Sequence, residues 1–163
     1  MTSALFAGSF DPIHRGHLDV IGLGSRLFER LWIVAAGNPS KPTGLFSPSE
    51  RLQLIASCTN HLQNVEAVTH SGLLVDLVKT LEIDVLLRAI GKEHSAEFEM
   101  ASANMAQAGV VTIFVLPEAE NWGVSSSLVR ERFESQDLGD IDDLVPEPVA
   151  TALRDMELAA AVI

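Results

Sequence analysis

The chain has 163 residues, with 22 acidic against 11 basic side chains and a formal net charge of −11. A domain of this size hides roughly 68–70% of its unfolded surface, so one domain over 1–163 with a sizeable core is expected. Apolar residues make up 47% and charged residues 20%, which argues against disorder, and the acidic balance disfavours coating nucleic acid or an anionic membrane.

A small anion could still be held by a few placed cations. The lone cysteine, Cys58, forbids an intrachain disulfide and makes a cysteine zinc site unexpected; beside Leu54 and Ile55 it reads as a small buried hydrophobe. No basic residue precedes Arg15, and the longest apolar runs, 31–36 and 111–116, fall far short of the ~20 residues that span a bilayer. A cytoplasmic protein with no membrane partner is expected.

β-rich runs alternate with helical ones. Residues 4–8 read as a first strand, followed by a helix from about Gly16 to Phe28. Residues 31–37 form a second strand, apolar on both faces as buried parallel strands are. Residues 38–47 are rich in Pro, Gly and Ser and form a loop. Ser47-Pro48-Ser49-Glu50 is a helix start, with Ser47 as cap, Pro48 at the first position and Glu50 completing a capping box; that helix runs to about Thr59. Strands at 65–70, 83–89 and 110–117 alternate with helices at 73–81, 97–107 and 125–133. The acidic segment 134–145 reads as a solvated connection. Pro146 and Pro148 introduce a last helix with Val149, Leu153, Met156 and Ala160 on one face. Five strands alternating with helices give an α/β fold with a parallel sheet and right-handed crossovers. Ligands in such sheets sit beyond the carboxyl ends of the strands, at the switch point. That directs attention to 8–17, 37–42, 71–74, 88–99 and 117–127.

The sharpest signal is Gly8-Ser9-Phe10-Asp11-Pro12-Ile13-His14-Arg15-Gly16-His17, between the first strand and first helix. Gly16 removes a side chain that would block a phosphate, and the amides of a helix N-terminus attract anions. His14 and His17, three apart, project near each other once the helix begins. Two imidazoles, an amide cluster and a hydroxyl suit the charge that develops in phosphoryl chemistry. Neither a G-x-G-x-x-G dinucleotide fingerprint nor a Walker loop is present. Asp11 reads as fixing its own turn by local hydrogen bonds rather than as a base. Arg130 could face phosphates or solvent.

The H-x-G-H string resembles the nucleotidyltransferase superfamily, whose fold is Rossmann-like. The motifs around Lys41, at 46–51, at Arg88, at 97–100 and at 122–131 resemble, in order, the bacterial phosphopantetheine adenylyltransferases. The resemblance implies a five-stranded Rossmann-like sheet with helices on both faces and a C-terminal helical extension. It implies adenylyl transfer from ATP to 4′-phosphopantetheine, with His17 and Lys41 catalytic. Ser9, Lys41, Leu74 and Arg88 would bind phosphopantetheine. Ser9, Phe10, His14, His17, Ala89, Ile90, Gly91, Glu99, Asn121, Trp122, Gly123, Val124, Ser125, Ser126 and Ser127 would bind ATP. Mg2+ is implied by the triphosphate, and a homohexamer by the family. Ser125 also reads as a plain helix cap.

The chain departs from the family at Gly91, where a second arginine is usual, and at Ser95, where an aspartate is usual; a bidentate fork for phosphate is missing there. A related nucleotidyltransferase acting on nicotinamide mononucleotide or glycerol phosphate would explain that stretch, but not the match at Arg88 and the third helix. A nucleotide-binding regulator is opposed by the retained His17 and Lys41.

Overall fold

The structure, a computed structural model, describes residues 2–36, 44–90 and 105–160. Five strands, β1 (Ser3–Gly8), β2 (Arg30–Ala36), β3 (Val65–His70), β4 (Val85–Ala89) and β5 (Val111–Val115), form one sheet in the order β3-β2-β1-β4-β5. Every pairing is parallel. The chain leaves β1 in one direction to reach β2 and later crosses back to β4. β1 and β4 therefore flank the point where the winding reverses.

The helices are α1 (Arg15–Leu27), α2 (Pro48–Thr59), α3 (Leu74–Thr80), α4 (Ser126–Glu134), α5 (Ile141–Leu144) and α6 (Glu147–Ala160), with a 3-10 turn at Ala119–Asn121. Alternation along the central strands feeds two cores. Ala4, Phe6, Leu31, Ile33, Ala35 and Leu87 pack with buried residues of α1, α2, α4, α5 and α6. Leu5, Trp32, Val34 and Leu86 point the other way, toward Val78 of α3 and Met105. β2 is thus apolar on both faces, as its composition implies.

Local signals account for the ends. Ser47 Oγ accepts from the Glu50 amide at 3.3 Å, and the Ser47 amide donates to Glu50 Oε2 at 2.7 Å. The expected capping box is present. Cys58 is buried, and burial pushes its thiol up to about 11, so it is an inert part of the core. α3 lies on its own sheet through Val78, with Leu74, Val75 and Leu77 partly buried beside it.

Three expectations need correction. β4 begins at Val85 rather than residue 83, because the Ile83 amide is already taken by Val78 O at 3.0 Å. The 134–145 segment is more than a solvated connection: it contains α5, whose Ile141 is fully buried, as is Val145. The last helix buries Val149 and Leu153, but Ala160 at its end is exposed. Of the helix expected over 97–107, only residues 105–107 are described, and they are helical. No helix among the described residues is long and apolar enough to cross a membrane.

Candidate active site

A cleft of about 290 Å³ opens beyond the carboxyl ends of β1 and β4. Its walls come from three strand ends: His14, Gly16 and His17 after β1, Ala89 and Ile90 closing β4, and Pro117 with residues 122–125 after β5. This is where an open parallel sheet of this order leaves a crevice.

The β1–α1 loop is buried nearly throughout. Phe10 is fully enclosed and stacks edge-on to Phe6 at 5.4 Å. Its backbone takes φ 46, uncommon for a residue with a side chain. The turn holds Phe10 beneath the His17 ring, 4.7 Å centroid to centroid. His14 and His17 stack at 3.6 Å with an interplanar angle of 28°, so the spacing of three does bring them together. The His14 amide donates to His17 Nδ1 at 3.3 Å. A ring nitrogen that accepts carries no proton, so the neutral His17 ring holds its proton on Nε2.

Both rings are neutral near pH 7. Burial lowers His14 to about 4. Burial, and then the neighbouring His14, hold His17 well below the usual imidazole range. Phe6 and Phe10 pack against the His17 ring, and the buried neutral pair acts as a set of hydrogen-bonding dipoles. His14 Nδ1 is buried and has no hydrogen-bond partner among the described residues.

Asp11 does not fix its own turn. Its carboxylate accepts from the Phe46 amide at 2.8 Å and the Leu45 amide at 3.0 Å, and pairs with Arg51 Nε at 3.3 Å. Arg51 also donates to Phe46 O at 2.7 Å and to Ser9 O at 3.4 Å. The β1–α1 loop is therefore stapled to the entrance of α2. Asp19, one turn into α1, accepts from the Glu118 amide at 3.0 Å and Asn121 Nδ2 at 2.8 Å. An added Cβ on Gly16 would meet the His14 ring at 3.3 Å and Asn121 O at 3.4 Å, so glycine lets the loop, the rings and the 3-10 turn share this space.

Ser125 caps α4 by accepting from the Leu128 amide at 3.1 Å, as its position implies. Ser126 Oγ donates to Pro12 O at 2.9 Å. Arg130, left open between phosphates and solvent, is half-buried and held by protein groups: Nη1 donates to Asp11 O at 2.7 Å and Nη2 to Ser127 Oγ at 3.1 Å.

Of the sequence-derived candidates, His14, His17, Ala89, Ile90, Trp122, Gly123, Val124 and Ser125 meet in the cleft. Ser9 is exposed at the loop's edge. Phe10 and Asn121 are buried behind the wall, Asn121 with its amide on Asp19. Leu74 opens α3 and packs toward the sheet. Arg88 is half-buried at the end of β4, where burial lowers its guanidinium from the ordinary value. Lys41, Gly91, Ser95 and Glu99 lie outside the described residues. Sequence reasoning missed Asp19 and gave no role to Arg51 or Pro117, although the spans 46–51 and 117–127 contain them. Only Pro117, directly after a β-rich run, carries a local signal.

Residues 5–132 match the cytidylyltransferase-like family. The chain is 36% identical to the phosphopantetheine adenylyltransferase of Corynebacterium diphtheriae, over 94% of this chain and 96% of that one. It is 39% identical to the enzyme of that name from Haemophilus influenzae, over 94% and 99%. A Vibrio parahaemolyticus structure described as a nicotinate-nucleotide adenylyltransferase superposes with a TM-score of 0.67 at 18% identity, covering 94% of this chain and 99% of that one. That likeness bears on the fold alone. The chain is a nucleotidyltransferase and belongs to the phosphopantetheine adenylyltransferase family.

Proposed function

We propose that this chain, as a single nucleotidyltransferase domain, transfers the adenylyl group of ATP to 4′-phosphopantetheine, giving dephospho-coenzyme A and pyrophosphate. The observation that carries the reading is near-full-length identity of 36–39% to phosphopantetheine adenylyltransferases, in a chain whose paired histidines line a cleft at the sheet's switch point.

A phosphate oxygen of the acceptor is already ionised at neutral pH, so it attacks the α-phosphorus without a general base. One P–O bond forms, the bond to the β-phosphate breaks in line, and pyrophosphate leaves with the electron pair. The chain's contribution is positioning and stabilisation of the spreading negative charge. The Nε2–H of neutral His17 serves as a donor toward the α-phosphate oxygens. A dipole in a dry site needs no reorganisation when charge develops. The apolar stretch Ala89–Ile90 and the Pro117 and Trp122 wall suit a nucleobase. Ser125, Ser126 and Ser127 at the start of α4 offer amides to the outer phosphates, and the Ser125 and Ser127 hydroxyls, which only accept within the protein, keep a proton to donate. Arg88, Lys41, Ser9 and Leu74 take the acceptor side in this reading, with Arg88 and Lys41 supplying the positive charge that the two imidazoles lack. Gly91 and Glu99 belong to the ATP side.

Mg2+ is proposed as a companion of ATP. The described lining of the cleft includes no carboxylate, so the triphosphate itself would carry the ion. A cytoplasmic homohexamer is part of the same proposal. Exposed apolar side chains on edge strand β5 and just after it, with Val111 59% and Leu116 61% accessible, support self-association. Light scattering tests it, with an expected mass of about six times the 17.6 kDa chain.

The reaction is tested by pyrophosphate release from ATP with 4′-phosphopantetheine, nicotinamide mononucleotide and glycerol phosphate in parallel. Turnover with phosphopantetheine alone is expected. Preference for another acceptor, or ATP binding without release, overturns the reading. In the active assay, His17→Ala lowers kcat by about 10²–10³-fold with a far smaller change in ATP affinity.

A further inference from the structure

We infer that Arg130 is a positioning residue: its guanidinium sets the spacing between the two walls of the cleft by clamping the start of α4 to the β1–α1 loop. The inference rests on the adenylyl-transfer reading for its consequence in turnover, but not for the clamp itself.

The two walls are more than a hundred residues apart in sequence, and no strand pairing joins them directly. Ser126, Ser127 and Arg130 lie on one helical face because they are spaced by three and four. That face meets the carbonyls of consecutive loop residues: Ser126 donates to Pro12 O, and Arg130 donates to Asp11 O at 2.7 Å while holding Ser127 Oγ at 3.1 Å. A planar guanidinium can serve two acceptors in fixed, divergent directions; a lysine ammonium on a flexible stem cannot hold both with one geometry.

The loop end of the clamp is itself anchored. The Asp11 carboxylate takes Arg51 and the Leu45 and Phe46 amides, so the carbonyl that Arg130 grips cannot drift. Three residues on, His14 sends its amide to His17 Nδ1. Movement of α4 relative to Asp11 is thereby transmitted to the ring pair. On the other side, Ser125 and Val124 line the cleft just before the helix that carries Arg130.

A displacement near 1 Å in such a site can cost about 10²-fold in rate. Arg130→Ala is therefore expected to lower kcat by roughly 30–100-fold while KM for ATP stays within about threefold. Arg130→Lys, keeping one donor, should recover part of the loss. Paired with Ser126→Ala, which opens the other half of the clamp, Arg130→Ala should be strongly non-additive. Hydrogen exchange of the His14 amide, measured by NMR on the folded protein without substrates, reads the clamp directly. It should quicken at least tenfold in Arg130→Ala and less in Arg130→Lys. Unchanged exchange overturns the clamp whatever the turnover. A rise in KM for ATP at constant kcat overturns it as well, and makes Arg130 a phosphate ligand. If Arg130→Ala does not fold, Arg130→Lys and Ser126→Ala carry the same measurements. A wild-type chain that releases no pyrophosphate with phosphopantetheine, while the His14 amide still responds, removes the reaction reading and leaves the clamp.

Discussion

The β1–α1 loop and the β3–α3 corner are the same kind of connection, a strand end turning into a helix on one edge of one sheet, yet they are built by opposite rules. In the first, Phe10, Asp11, Pro12, Ile13 and His14 are all buried. Its bonds run to Leu45, Phe46, Arg51, Ser126 and Arg130, elements distant in sequence. In the second, Ser71, Gly72 and Leu73 are exposed, and the bonds are local: His70 Nε2 meets Leu73 O at 3.1 Å, and the Asp76 amide reaches the same carbonyl. Reacting atoms need a geometry that thermal motion cannot blur, so the loop carrying the imidazoles is over-determined. A corner left loosely tied lies at the low end of local stability.

The largest test of that contrast removes the anchor on one side and an exposed side chain on the other. Asp11→Ala leaves Arg51, whose side chain is 12% accessible, as an uncompensated buried charge. It should destabilise the fold by about 3–5 kcal/mol in urea titration. Leu73→Ala, at a residue 69% exposed, should stay within about 0.5 kcal/mol. Equal effects would mean that the two turns are held alike.

The second test is pH. Burial lowers His14 to about 4 in the folded protein, against about 6.5 in the unfolded chain. Above 6.5 neither state binds the proton and the full stability is present. Between the two values only the unfolded chain is protonated, so stability falls with pH through this window, by on the order of 3 kcal/mol for His14 once pH reaches 4. His17, also lowered by burial and by its neighbour, steepens the same slope. Denaturant midpoints at pH 7, 6, 5 and 4 for wild type and His14→Gln should diverge at neutral pH and converge in acid. Parallel curves would place the imidazoles in water.

The same contrast explains what was legible in the amino-acid order. Elements written in short periods were: the two-faced apolar run of β2, the Ser47–Glu50 box and the Ser125 cap each need only neighbouring residues. The pairing of His14 with His17 followed from a spacing of three. Partners set by the fold were not legible. Asp11 resembles any turn aspartate until the chain returns 34 residues later, and Asp19 is an ordinary helix residue until Asn121 arrives. Arg130 stayed open because the carbonyl it holds, Asp11 O, belongs to the opposite end of the chain. The protonation of the imidazoles was not legible for a related reason: burial determines it, with Phe6 and Phe10 packed on His17, and enclosure is a tertiary property.

The smallest effect sharpens the contrast at the helix starts. α4 begins with Ser125 accepting from the Leu128 amide. α3 begins with Leu73, which makes no side-chain cap. Ser125→Ala should therefore cost about 1 kcal/mol. Leu73→Asp should add about 0.5–1 kcal/mol, since it supplies an acceptor to open amides and negative charge to the positive end of α3. Thermal and urea unfolding would read both. The second substitution has a cost elsewhere if the β3–α3 corner receives the acceptor, because a new carboxylate there repels a phosphorylated substrate. The expected signature is a more stable chain with a raised KM for phosphopantetheine and an unchanged KM for ATP. A stabilised chain with both KM values unchanged would place the acceptor elsewhere, and the openness of the corner would then reflect only its position near the edge of the sheet.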